Sequence, residues 1–132
     1  MLAMDKIVSH KDLIVWQRAV ALACKVYAAT RLLPRDERFG LQSQLRRAAV
    51  AVASQIAAGS ASASRAGFVQ FLQASRCSLS ELETLYLIAS RLASLPSTAD
   101  EIAEVGRLLN GLLRSLVASN RAAHAKACAP PR

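Results

Sequence analysis

Apolar residues recur along this chain at alternating spacings of three and four, the rhythm of helices that turn one side inward. In the first such segment Leu13, Trp16, Val20, Ala23 and Tyr27 form one stripe, with Val15, Ala19, Leu22, Val26 and Thr30 beside it. Asp12 is a candidate N-cap, and Pro34 stops the segment after Leu33, since proline lacks an amide donor and clashes with the preceding turn. After the charged connector "PRDERFG" (Pro34 to Gly40), a second segment carries Leu41, Leu45, Ala48, Val52 and Ile56 on its main stripe. Gly59 closes it as a candidate left-handed C-terminal residue.

"SASAS" (Ser60 to Ser64) offers caps for a third segment, along which Phe68, Phe71, Leu72, Ser75, Leu79, Leu82, Tyr86, Ala89 and Ala93 recur. Beyond Pro96, Thr98-Ala99-Asp100-Glu101 reads as a capping box for the fourth, whose stripe is Ile102, Val105, Leu109, Leu112, Leu116 and Ser119. No stretch alternates with the period of two that marks a half-buried strand. The pattern predicts helices over about 12–33, 41–58, 65–93 and 98–122, with a frayed tail over 123–132, in a single domain spanning 1–132. Short connections favour antiparallel neighbours. The expected fold class is therefore all-α, an antiparallel up-down-up-down four-helix bundle.

The second segment is more apolar than such a bundle requires. "AAVAVA" (Ala48 to Ala53) is followed, after Ser54 and Gln55, by "IAA", so Ala49, Ala53 and Ala57 make a second line of small residues that Val50 widens. Small side chains let helices approach closely, and large apolar patches are uncommon on monomers. Ala49, Val50, Ala53 and Ala57 are thus the candidate interface for self-association. Arg46 and Arg47 adjoin this surface about 100° apart on the helix. One can lie at its edge with its stem buried and its head exposed, while the other can pair with Asp36, Glu37, Glu81 or Glu83.

Charge narrows the partners. The 132 residues include 17 Lys and Arg against 9 Asp and Glu, a formal net charge of +8. Such a field draws polyanions, which puts nucleic acid first and an anionic membrane surface second. Arg35, Arg38, Arg46, Arg47 and Arg65 are the candidate phosphate contacts, and Arg76 and Arg91 could join them. No apolar run reaches the ~18 residues of a membrane span, and Met1 to His10 lack the continuous apolar segment of a signal peptide. A cytoplasmic location is expected. Cys24, Cys77 and Cys128 are odd in number and scattered, which speaks against disulfides and zinc; Cys24 and Cys77 are expected to be small buried hydrophobes and Cys128 an exposed thiol.

Catalytic chemistry is sparse. Neither His10 nor His124 follows a glutamate by three, as a di-iron bundle requires, and Glu81 and Glu83 point to different sides of a helix. There is no G-x-S-x-G elbow, and Gly59 to Gly67 lacks the Lys-Ser/Thr ending of a phosphate loop. Ser64 and Arg65 at a helix start could hold a lone phosphate, although such a serine is ordinarily a cap. The expectation is a protein that is not an enzyme and needs no cofactor or metal.

"HKDLIVWQRAVALACKVYAAT" (His10 to Thr30), "FGLQSQLRRAAVAVASQIAAG" (Phe39 to Gly59) and "FVQFLQASRCSLSELET" (Phe68 to Thr84) resemble the 23S rRNA intervening-sequence protein family. The resemblance implies a four-helix bundle assembled as a ring-shaped homopentamer. It also implies a nucleic-acid-associated accessory role without enzymatic activity, since relatives accompany the reverse transcriptases of diversity-generating retroelements. Where that family reads N-I-A-E-G, this chain has Gln55-Ile56-Ala57-Ala58-Gly59. If the missing carboxylate orients Arg46 or Arg47, that arginine is freer here. The leading expectation is a basic homo-oligomer that contacts RNA or DNA phosphates. The alternative is a scaffold that docks a partner protein such as a reverse transcriptase and binds no nucleic acid itself, consistent with the few aromatic residues available for base stacking.

Overall fold

The computed structural model describes residues 9–127, with side chains described through Ser119. Four helices carry the fold: α1 (Ile14–Thr30), α2 (Leu41–Ser60), α3 (Arg65–Leu92) and α4 (Ala99–Ala127), with short 3-10 turns at His10–Asp12 and Arg35–Glu37. Among the described residues there is no strand. Among the described residues the helices touch in the cyclic order α1, α2, α3, α4 and back to α1, with no diagonal pair, and α2 and α3 share the most extensive contact. Cross-links run in opposite sequence senses along neighbours. Arg65 meets Ser119 and Arg76 meets Asn110 between α3 and α4, while Arg18 meets Glu104 and Lys25 meets Glu101 between α1 and α4.

One core runs through all four helices. It is filled by Leu22 and Val26 of α1, Leu45, Val52 and Ile56 of α2, Leu72 and Leu82 of α3, and Val105 and Leu109 of α4. Each such side chain contributes about 1.5–3 kcal/mol by leaving water. The one polar side chain in the centre of the α2–α3 contact, Ser75, donates to the Val52 carbonyl at 2.8 Å, so its burial leaves no unmet hydrogen bond.

The helix ends depart from the sequence pattern in instructive ways. Asp12 is not the cap of α1. It belongs to the preceding 3-10 turn, which Ser9 caps, and its carboxylate accepts the Ser9 amide at 3.4 Å. α1 ends at Thr30 instead of Leu33, since the Leu32 and Leu33 amides tighten onto the carbonyls of Ala29 and Thr30. Ser64 does cap α3, accepting the Gly67 amide at 3.0 Å. The reciprocal box expected at α4 is dismantled. Ser97 takes the Ala99 amide, the buried Thr98 hydroxyl turns to Tyr86, and Glu101 pairs with Lys25, which holds the Glu101 carboxyl below its ordinary range. Tyr86 itself donates to the Pro96 carbonyl, and burial raises its phenol further above neutral pH. The α4 backbone continues to Ala127, past the expected fraying at Ala123; the rest of that expected tail, with Cys128, lies outside the described residues.

Gly59 plays a different part from the one its position suggests. No glycine among the described residues has a positive φ, and α2 runs through Gly59 to Ser60. A Cβ on Gly59 would lie 2.9 Å from Phe71 Cβ and 3.0 Å from Phe68 Cδ1. The missing side chain is therefore what lets α3 close onto α2. Gly111 on α4 is the contrast, because a Cβ there meets nothing within 4 Å. Gly59→Ala is expected to lower stability by about 1 kcal/mol, overpacking outweighing the better helix propensity, while Gly111→Ala should raise it by about 0.5–1 kcal/mol. Urea unfolding of the two variants checks both signs.

Candidate functional site

The last turn of α1 leaves carbonyls without helical partners, and side chains from the start of α2 meet them. Gln42 Nε2 donates to the Thr30 carbonyl at 3.3 Å. Arg46 Nε donates to Thr30 Oγ1 at 2.9 Å and Arg46 Nη2 to the Tyr27 carbonyl at 3.3 Å, a carbonyl that also accepts the Thr30 hydroxyl. The Arg46 guanidinium lies 4.5 Å over the Tyr27 ring. A cation at a helix C-terminus, stacked on an aromatic face, is favoured by both the helix dipole and the ring quadrupole. Arg46 is thus a strut between α1 and α2.

Arg47, about 100° further round, faces water. The expected ion pairs with Asp36, Glu37, Glu81 or Glu83 do not form. Among the described residues the ion pairs are Arg18 with Glu104 and Lys25 with Glu101. Glu37 is occupied elsewhere, its Oε2 accepting the Leu41 amide, the first of α2, at 3.2 Å. A carboxylate at position 58 would not orient Arg46 within the same subunit either, because twelve residues of helix separate the two by ~18 Å. Gln55 has its own partner, accepting from Ser78 Oγ at 2.9 Å.

Arg46 and Arg47 join Arg38, Phe39, Gln42, Ser43 and Tyr27 around an open cleft of about 400 Å³ at the start of α2. Phe39 is 88% exposed, with the Arg38 guanidinium 5.5 Å from its ring centre. The stretch from Arg31 to Arg47 holds five arginines against two carboxylates, so the cleft lies in a positive field. Of the five arginines expected to contact phosphate, three line this cleft. Arg35 sits on the connector turn outside the lining, and Arg65 lies at the far end of α2's ~30 Å length, donating to Ser119 Oγ at 2.7 Å. Ser64, engaged as a cap, and Arg65 are thus both committed to their own bundle. Phe39, Tyr27, Gln42 and Ser43 are not among the candidate site residues that the sequence offers. The one signal was an aromatic residue inside an otherwise charged connector.

A second surface adjoins the first. Trp16, Val20, Ala23 and Tyr27 of α1 and Val50 and Ala53 of α2 line an open apolar groove of about 590 Å³, and Tyr27 is a wall of both cavities. Of the residues expected at a subunit interface, Ala49 is only 1% exposed and is enclosed by its own bundle, which removes it from any neighbour. Ala53 is almost closed over on the groove floor, Ala57 is half-buried, and Val50 is 45% exposed. Most of the groove's lining comes from α1. Cys24 and Cys77 are exposed, against expectation, because they fall outside the buried phase of Leu22 and Val26 in α1 and of Ser75 and Leu79 in α3. Among the described residues no group of His, Cys, Asp and Glu could hold a metal, and no helix is long and apolar enough to cross a membrane.

A family model described as 23S rRNA-intervening sequence protein matches residues 11–115 of the chain. No curated protein matches it.

The two adjacent arginines should separate in an unfolding experiment. Arg46→Lys loses the planar, ring-stacked fork and is expected to cost about 1–2 kcal/mol, whereas Arg47→Ala should stay within about 0.5 kcal/mol of the parent. Denaturant titration of both variants measures the difference.

Proposed function

The chain belongs to the 23S rRNA-intervening sequence protein family, and on that footing we propose that it is a basic, cytoplasmic, non-catalytic accessory protein that assembles with copies of itself and holds nucleic acid by its phosphates. The observation that carries this reading is the cleft at the start of α2. Among the described residues no carboxylate pairs with Arg38 or Arg47, which flank it, or with Arg46, which is hydrogen-bonded to neutral groups. Guanidinium groups held beside an open cavity match phosphate oxygens in geometry as well as charge.

The neighbouring groove supports self-association. A second copy seated over Trp16, Val20 and Val50 would cover an apolar surface that water otherwise wets. It would also stand beside Tyr27 and bring another set of arginines close to the first. Pooled cations raise the charge that a polyanion meets without adding any base-specific contact. A pentamer, as the resemblance implies, would multiply the effect.

Binding should therefore be steep in salt. Fluorescence anisotropy with labelled RNA and DNA at several salt concentrations is expected to give a linear fall of log affinity with log salt, and Arg47→Ala should reduce its slope by about 0.7–0.9 per contact removed. Light scattering on the same samples should report a homo-oligomer. A chain that stays monomeric and binds neither polymer at low salt would remove the reading.

A further inference from the structure

The fold does not account for Phe39. At 88% it is the most exposed large apolar side chain among the described residues, and no core residue covers it. It is also placed with care. Gly40, the residue at the N-terminal boundary of α2, follows it directly, and the Glu37 carboxylate holds that boundary by accepting the Leu41 amide. The ring therefore projects from a defined turn, on the rim of the cleft that Arg38 and Arg47 share. Arg38 lies 5.5 Å from the ring centre, within the range of a cation–π contact.

An aromatic ring kept in water beside unneutralised guanidinium groups suits one kind of ligand, a flat π-surface attached to a phosphate. We infer that Phe39 is a stacking platform for an unpaired base, so that this cleft takes single-stranded or looped nucleic acid in preference to duplex. The inference rests on the phosphate-binding reading above and adds the class of substrate to it. The base lies against the ring while Arg38 and Arg47 hold the adjoining phosphates, and Gln42 and Ser43 offer polar groups along the cleft wall. Every base has a π-face, so the platform tolerates sequence. A duplex buries those faces in its own stack and can use the arginines alone.

The test compares wild type, Phe39→Ala and Phe39→Tyr against two probes, an oligoriboadenylate of about 15 nucleotides and an RNA duplex of the same length, at low salt. Phe39→Ala is expected to weaken the single strand by about tenfold and the duplex by less than about twofold, with an unchanged salt slope. Phe39→Tyr, which keeps the π-face, should restore wild-type affinity. Equal losses on both probes, no loss at all, or failure of the tyrosine to rescue would each overturn the inference. So would a change of oligomeric state in Phe39→Ala by light scattering, which would assign the ring to a subunit contact. If wild type binds and only the Phe39 effect is missing, this inference falls alone. If wild type binds neither probe, the phosphate-binding reading falls with it.

Discussion

The closeness of α2 to both of its neighbours is the constraint on which the other features depend. A helix of long side chains could not lie so near α3 that a single Cβ at position 59 would collide with Phe68 and Phe71. Ala48, Ala49 and Val52 are buried on α2 with little bulk, and Ser75 closes a hydrogen bond across the α2–α3 contact onto the Val52 carbonyl. Packing at this density resists sliding, because a shift along the helix would set larger groups against each other. The first turns of α2 are thereby fixed against the last turn of α1, and that junction is where the arginines stand.

Two adjacent arginines then take different tasks without any difference in chemistry. Arg46 is turned toward α1, where the Tyr27 carbonyl and Thr30 hydroxyl oxygens accept two of its hydrogen bonds and the Tyr27 ring lies under its guanidinium. Arg47 is turned away and exposed. One arginine ties the helix down, and the other is left available to a ligand. Tyr27 links the two halves of the proposal, since it supports Arg46, bounds the cleft and forms a wall of the apolar groove. Docking of a second copy and capture of a polyanion would therefore act on neighbouring surfaces.

The helical rhythm made the four helices legible, along with most of the core, because spacings of three and four permit few other arrangements. It could not decide which of two adjacent stripes on α1 faces inward. Val15, Ala19, Leu22 and Val26 turn to the core, while Trp16, Val20, Ala23 and Tyr27 line the groove, and only the placement of α2 and α4 selects between them. The same ambiguity put Ala49 on an interface when it is enclosed. Gly59 is ambiguous for a related reason, since a glycine near a helix end signals either a left-handed cap or a close crossing, and the crossing partner lies a loop away. Candidate phosphate contacts were legible as residue types. Their separation was not, because the ~30 Å of α2 sets Arg65 apart from Arg38 and Arg47. Phe39 gave almost no signal, an exposed aromatic being indistinguishable in sequence from one destined for the core.

The central claim is that α2 holds Arg46 rigidly and leaves Arg47 free, which on the proposed function makes Arg47 the one that responds to nucleic acid. Arginine Nε–Hε resonances read this residue by residue. The Arg46 signal should exchange slowly with water in the free protein, reflecting its bond to Thr30 Oγ1, and should move little when oligoribonucleotide is added. The Arg47 signal should be broadened by fast exchange in the free protein and emerge, shifted, in the complex. An Arg46 signal that exchanges as fast as that of Arg47 before any ligand is present would contradict the account.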